Sequence, residues 1–177
     1  MITFSPNQII KSADLNANFA ELKDGSGIDD GAITIPKISN PYKFYAYRST
    51  NMSGGTSKIS MQSELYDTNG DYDSTTNYRY NVPVTGYYHF DYSFVSTSQA
   101  GTGYYCRLMK NGGQISRGTA NIMAYTNPGA WQLSKGSCLY YCTAGDYIEV
   151  HQVSNGADTI VGTSYETYLC GYLVSEA

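Results

Sequence analysis

Charge is scarce in this chain. Asp, Glu, Lys and Arg make up 15% of its 177 residues, against roughly 25% in ordinary soluble proteins. The net charge is −4, and no three Lys or Arg stand together. Binding to a phosphate backbone needs clustered cations, so nucleic acid is not expected as a partner. No apolar stretch approaches the roughly 20 residues of a membrane span, so no membrane insertion is expected. Residues 1–6 show no basic segment leading into an apolar one. No secretory signal is therefore expected, and the chain should be made in a cytosol and kept there until released.

The usual catalytic furniture is also thin. Only two histidines, His89 and His151, occur, and both lie in strand-like runs. There is no Gly-x-Ser-x-Gly turn and no glycine-rich loop followed by Lys-Ser/Thr, so neither a nucleophile elbow nor a phosphate loop is present. Asp158 and Glu166 are the only acids of the last loop and strand, which leaves no visible carboxylate pair for glycoside hydrolysis. A non-enzyme without cofactor or metal is expected.

Two features tempt a metal reading. Cys138 and Cys142 are four apart, but no histidine is near and Cys106 and Cys170 are scattered. Zinc sites want a second pair, so the cysteines read as small buried hydrophobes in a reduced compartment, with metal or a bridge between strands as the alternative. Asp67, Asn69, Asp71 and Asp73 alternate as in a calcium loop, yet Tyr72 and Tyr78 stand where that loop needs Gly and Glu. A solvated hairpin turn is the favoured reading.

What is abundant is tyrosine, with 19 residues, and glycine, with 18. Aromatic, turn-punctuated chains of this kind form sheet rather than charged helical bundles, and they are not disordered. From Tyr42 on, strand-like runs follow one another at 44–48, 58–62, 64–66, 78–82, 87–94, 104–109, 114–116, 121–125, 131–133, 137–142, 147–153 and 165–174. Turn signals separate them, including Asn111-Gly112, a strong hairpin marker. This is the rhythm of an all-β antiparallel sandwich or jelly roll.

Residues 1–23 differ. Ser12 is a good N-cap, and Leu15, Phe19 and Leu22 stand at i, i+4 and i+7 of a short helix. So short a helix needs a partner surface, and docking to another chain is favoured over folding back. Residues 24–41 form a linker, opening with three glycines and three acids in residues 24–31 and continuing as an extended segment limited by Pro36. The expected organisation is an attachment segment (1–23), a linker (24–41) and a jelly-roll head (42–177).

Several motifs occur in order within the head. Tyr80-Asn81-Val82-Pro83-Val84-Thr85-Gly86-Tyr87-Tyr88-His89-Phe90 resembles the aromatic-x-x-Pro-x-x-Gly-x-Tyr-x-Phe signature of the complement C1q globular domain. Leu65-Tyr66-Asp67 and residues 69–73 are similar to the hairpin before that signature. Leu108-Met109-Lys110-Asn111-Gly112, Gly145-Asp146-Tyr147-Ile148-Glu149-Val150 and Tyr168-Leu169-Cys170-Gly171-Tyr172-Leu173-Val174 resemble its later strands. Tyr or Cys often replaces the family's Phe, Val or Leu. The resemblance implies the jelly roll shared with the tumour-necrosis-factor ligands, and a homotrimer with aromatic faces about a three-fold axis. Tyr87, His89 and Tyr92 are the candidate interface residues.

The N-terminus is similar to a different group. Residues 4–19, with Ala13-Asp14-Leu15-Asn16-Ala17-Asn18-Phe19, resemble the opening of tailed-bacteriophage fibre and virion-appendage proteins, and residues 31–38 resemble their shaft linkers. This resemblance implies a virion fibre or spike, anchored to other virion proteins through Leu15, Phe19 and Leu22, whose head binds a host-surface glycan or protein. A capsid or tail decoration without receptor role, and a secreted trimeric ligand, are the alternatives. If the head follows the family's jelly roll, residues 96–103, 126–130 and 155–163 form its far tip. Tyr125, Asn127, Trp131, Asn155 and Asp158 are then the candidate receptor contacts, although a lone tryptophan is as readily a core residue.

Overall fold

The computed structural model describes residues 40–97, 103–122, 131–154 and 158–177. The expected helix with Leu15, Phe19 and Leu22, nearly all of the linker, and the tip residues Tyr125, Asn127 and Asn155 lie outside the described residues.

Every regular element among the described residues is a strand. In order they are β1 (Lys43–Tyr47), β2 (Met52–Ser53), β3 (Ser57–Lys58), β4 (Ser63–Asp67), β5 (Tyr72–Asp73), β6 (Arg79–Asn81), β7 (Gly86–Thr97), β8 (Gly103–Lys110), β9 (Gly113–Arg117), β10 (Asn121–Ile122), β11 (Trp131–Cys142), β12 (Tyr147–Ser154), β13 (Thr159–Ile160) and β14 (Tyr168–Glu176). They pair antiparallel in two sheets. The first runs β4-β1-β14-β7-β11, with β13 beside the far end of β7 and β2 beyond it. The second centres on β8 and β12; β9 and β10 lie on one side, and β3, β6 and β5 on the other.

The alternation of β7 explains the sandwich. Tyr88, Phe90, Tyr92 and Phe94 are fully buried, because successive side chains of a strand point to opposite faces. Cys106 and Leu108 of β8 and Ile148 and Val150 of β12 meet them from the second sheet. Phe44 stacks on Tyr80 with centroids 4.1 Å apart, and Tyr80 meets Tyr88 edge-on. Buried aromatic rings thus make much of the core, and two of their hydroxyls find partners at its margin: Tyr88 donates to the Val84 carbonyl at 2.9 Å and Tyr92 to Ser116 Oγ at 2.7 Å.

Two glycines are demanded by close approach. A Cβ on Gly86 would lie 2.3 Å from the Ser175 carbonyl oxygen, where β14 crosses the start of β7. A Cβ on Gly136 would lie 2.4 Å from the Tyr92 hydroxyl. Gly136 is why the expected strands 131–133 and 137–142 are one strand: it makes room for a ring rather than a turn. Residues 58–62 differ in the other direction. Ile59 and Met61 are buried as their alternation requires, but only Ser57–Lys58 joins a ladder. The closing strand starts at Tyr168 rather than 165, after a turn that leaves Tyr165 exposed.

The acidic hairpin is a set of self-capped turns. Asp67 accepts from the backbone N–H groups of Asn69, Gly70 and Tyr72, and Asp73 from those of Thr75, Thr76 and Asn77. The Thr76 N–H, the strongest influence, helps hold the Asp73 carboxyl well below the usual carboxylate range. These oxygens serve their own backbone, as Asx turns do.

Candidate functional site

Each sheet has one face in the core and one facing outward. On the first sheet the register sets the outward rows. Leu139 stands opposite His89, and His89 opposite Tyr172; Tyr141 stands opposite Tyr87. Leu139 is 57% exposed, Tyr87 47% and Tyr172 46%, with Leu133 and Tyr141 also exposed. A Tyr66–Tyr45–Tyr168 series continues the face across β4, β1 and β14, with Tyr45 stacked on Tyr168 at 5.2 Å. Burial raises the Tyr45 phenol far above its ordinary range. Large apolar side chains gathered on one face of a monomer mark an interaction surface.

Of the expected interface residues, Tyr87 and His89 lie on this face. Tyr92 does not. It shares the parity of Tyr88 and Phe90, is 0% exposed, and fills the core against Gly136. Its assignment to the interface is corrected on that ground.

His89 sits between neighbours of two kinds. Its Nε2 is 3.0 Å from Ser137 Oγ, and its Nδ1 is 3.4 Å from Asp91 Oδ2. These are the residue types of a nucleophilic triad. A triad requires the carboxylate to hold the imidazole by a hydrogen bond at Nδ1, and Nδ1 makes no hydrogen bond. The row therefore reads as a polar seam within an apolar face.

The cysteines are free thiols. Cys106 and Cys142 are core residues, while Cys138 and Cys170 are half-buried. Burial pushes the Cys106, Cys142 and Cys170 thiols up to about 11, which makes them poor nucleophiles and poor metal ligands at neutral pH.

The strand ends show what lies where. Thr97 is opposite both Trp131 and Thr159, Gly103 is opposite Ile122, and Tyr104 is opposite Ser154. The strand ends flanking residues 98–102, 123–130 and 155–157 therefore share one end of the sandwich. At the opposite end, Asn111 and Lys110 bond to Asp146, and the Ala177 N–H donates to Thr85.

At the first end Trp131 is 63% exposed on the rim of the first sheet, so it is a surface residue rather than a core one. Asp158 is a correction. It is only 8% exposed, and its Oδ2 accepts from Ser96 Oγ at 2.7 Å and from Gln152 Nε2. Asp158 pins the start of β13 to β7 and β12 instead of facing a ligand. Residues 159–160 are paired strand rather than loop.

The outward face of the second sheet is different. Here Lys58, Glu149, His151, Arg107 and Arg117 come together, which sequence spacing did not reveal. Lys58 Nζ is 3.0 Å from Glu149 Oε1, and His151 Nε2 is 3.0 Å from Glu149 Oε2. A cleft of about 420 Å³ opens beside them, lined among others by Tyr105, Arg117, Val153 and Ser154.

Comparisons with known proteins agree with this architecture. The C1q domain model matches residues 43–174. The tumour-necrosis-factor homologue Eiger of S. frugiperda superposes with a TM-score of 0.64 at 10% identity, over 78% of this chain and 96% of that one. The globular domain of zebrafish complement 1qA gives 0.58 at 13% identity, over 77% and 99%. Murine APRIL gives 0.56 at 12% identity, over 75% and 98%. No curated protein is similar enough in sequence to match. With the motifs in order, the two antiparallel sheets and the family match over three quarters of its length, the chain belongs to the C1q domain family.

Proposed function

We propose that this chain is a non-enzymatic binding module that works as a homotrimer, its three heads packed through the outward face of the first sheet. The single observation that carries this is the exposure of Tyr87, Leu133, Leu139, Tyr141 and Tyr172 on that one face. Fully burying a large apolar side chain contributes about 1.5–3 kcal/mol, so these half-exposed residues contribute roughly 1 kcal/mol each. Three copies of the face give an association of useful strength. The polar seam of Ser137, His89 and Asp91 sets register within it, as polar groups inside apolar interfaces do.

The proposal extends to the whole chain. Residues 1–23 dock on a virion through Leu15, Phe19 and Leu22, residues 24–41 space the head from it, and the head meets a host-surface glycan or protein. The support is the fibre-like opening of the sequence. A chain beginning at Asn40 should still trimerise but should not assemble onto particles. Normal incorporation of that truncation refutes the anchor; a full chain that trimerises but never joins particles favours a free trimeric ligand.

A further inference from the structure

We propose that the outward face of the second sheet binds a carboxylate-bearing saccharide, with Arg107 and Arg117 on the carboxylate and the adjoining cleft around the sugar ring. This rests on reading the head as a surface-binding module.

The argument starts from register. Arg117 is directly opposite Arg107, Arg107 opposite His151, and His151 opposite Lys58. Four strands thus place four basic side chains in one row, in a chain whose net charge is −4. Like charges directly opposite across a sheet are destabilising, so the facing Arg107 and Arg117 gain from a counter-charge. Glu149 does not supply it, since one of its oxygens serves Lys58 and the other His151. Among the described residues Arg107 and Arg117 have no carboxylate partner, and Arg107 Nε is buried without any hydrogen bond. The segments 98–102, 123–130 and 155–157 contain no Asp or Glu. The head itself supplies no acid for this arginine pair.

The cleft says what kind of acid. Arg117 is held over the Tyr105 ring, 5.3 Å from its centroid, and Val153 stands opposite Tyr105 on the same face. An aromatic and aliphatic wall suits the C–H face of a sugar ring. Guanidinium forks bind a planar carboxylate through paired hydrogen bonds. A volume of about 420 Å³ is that of a small-ligand site rather than a protein groove.

The test titrates the full chain with 3′-sialyllactose, with lactose and with sodium sulfate by calorimetry, and sediments the same samples. Sialyllactose should bind at least about tenfold more tightly than lactose or sulfate. Arg107→Gln combined with Arg117→Gln should abolish the preference while leaving sedimentation unchanged. Arg117→Lys, at an exposed position, should lose most of it despite keeping the charge. Equal binding of sialyllactose and lactose, binding of sulfate as tight as that of the sugar, or an unchanged preference in the variants overturns the site. An intact trimer with no sugar preference would remove the site and leave the trimer standing; loss of the trimer in the unaltered chain would instead remove the reading on which the site rests.

Discussion

The two outward faces of this sandwich are made by the same strand alternation and expose opposite chemistries. The first sheet shows leucines and tyrosines around one polar seam, and its charged groups are few. The second shows a basic row, one shared carboxylate and a cleft beside a tyrosine. An apolar face gains from being covered by a surface that brings little charge, and a second copy of the same face satisfies that. A face of like charges loses from being covered by its own copy, because its cations would meet. On the proposed reading, one fold separates assembly from recognition by assigning each to a different sheet.

The sharpest break of this comparison is inside it. Tyr92→Ala removes a buried ring and should destabilise the head by about 3–5 kcal/mol, read as a drop in the denaturation midpoint. A residue of the outward face would instead dissociate the trimer with little loss of fold. If Tyr92→Ala leaves the midpoint unchanged, the assignment of faces is wrong.

Asp158→Ala should cost about 1–3 kcal/mol, since it leaves the buried Ser96 hydroxyl and Gln152 amide without an acceptor. Chemical denaturation measures this. Saccharide binding should survive, because Asp158 holds a strand end and not a ligand.

The thiols give a pH signature common to both faces' shared core. Burial raises the folded pKa of Cys106 from 9.0 to about 11. The unfolded chain then ionises first, so the contribution is complete below about pH 9 and is lost as pH rises toward 11. The loss is about 2 to 3 kcal/mol for Cys106. Thermal melts between pH 7 and 11 should fall on the alkaline side, and Cys106→Ala should fall less steeply. An equal slope in both refutes the burial effect.

The smallest effect sharpens the second face. Arg117→Gln relieves one like-charge pair but also removes the contact with the Tyr105 ring, so stability in the absence of ligand should change by only a few tenths of a kcal/mol. A loss well above about 1 kcal/mol on thermal melting would mean that Arg117 has a structural partner beyond Tyr105.

The sequence made the fold legible wherever local pattern decides structure. The run Tyr88, Phe90, Tyr92, Phe94 is a buried stripe by parity alone, and Tyr92 could have been taken out of the interface by the same count. Gly136 misled because a glycine inside a strand signals a break when its neighbour across the core is unknown. Asp158 misled because an acid between turn residues looks solvated until Ser96 and Gln152 are brought beside it. Trp131 was undecidable, since its exposure depends on the rim of the first sheet. The basic row was invisible: Lys58, Arg107, Arg117 and His151 are scattered along the chain and meet only through the ladders of β3, β8, β9 and β12.

The most direct measurement is sedimentation equilibrium of the full chain beside Leu139→Glu and Tyr87→Glu, with Arg107→Glu as the control on the other face. The unaltered chain and the control should be trimers at micromolar concentration. The two first-face variants should be folded monomers near 19.4 kDa. A monomeric unaltered chain, or first-face variants that still trimerise, would contradict the account.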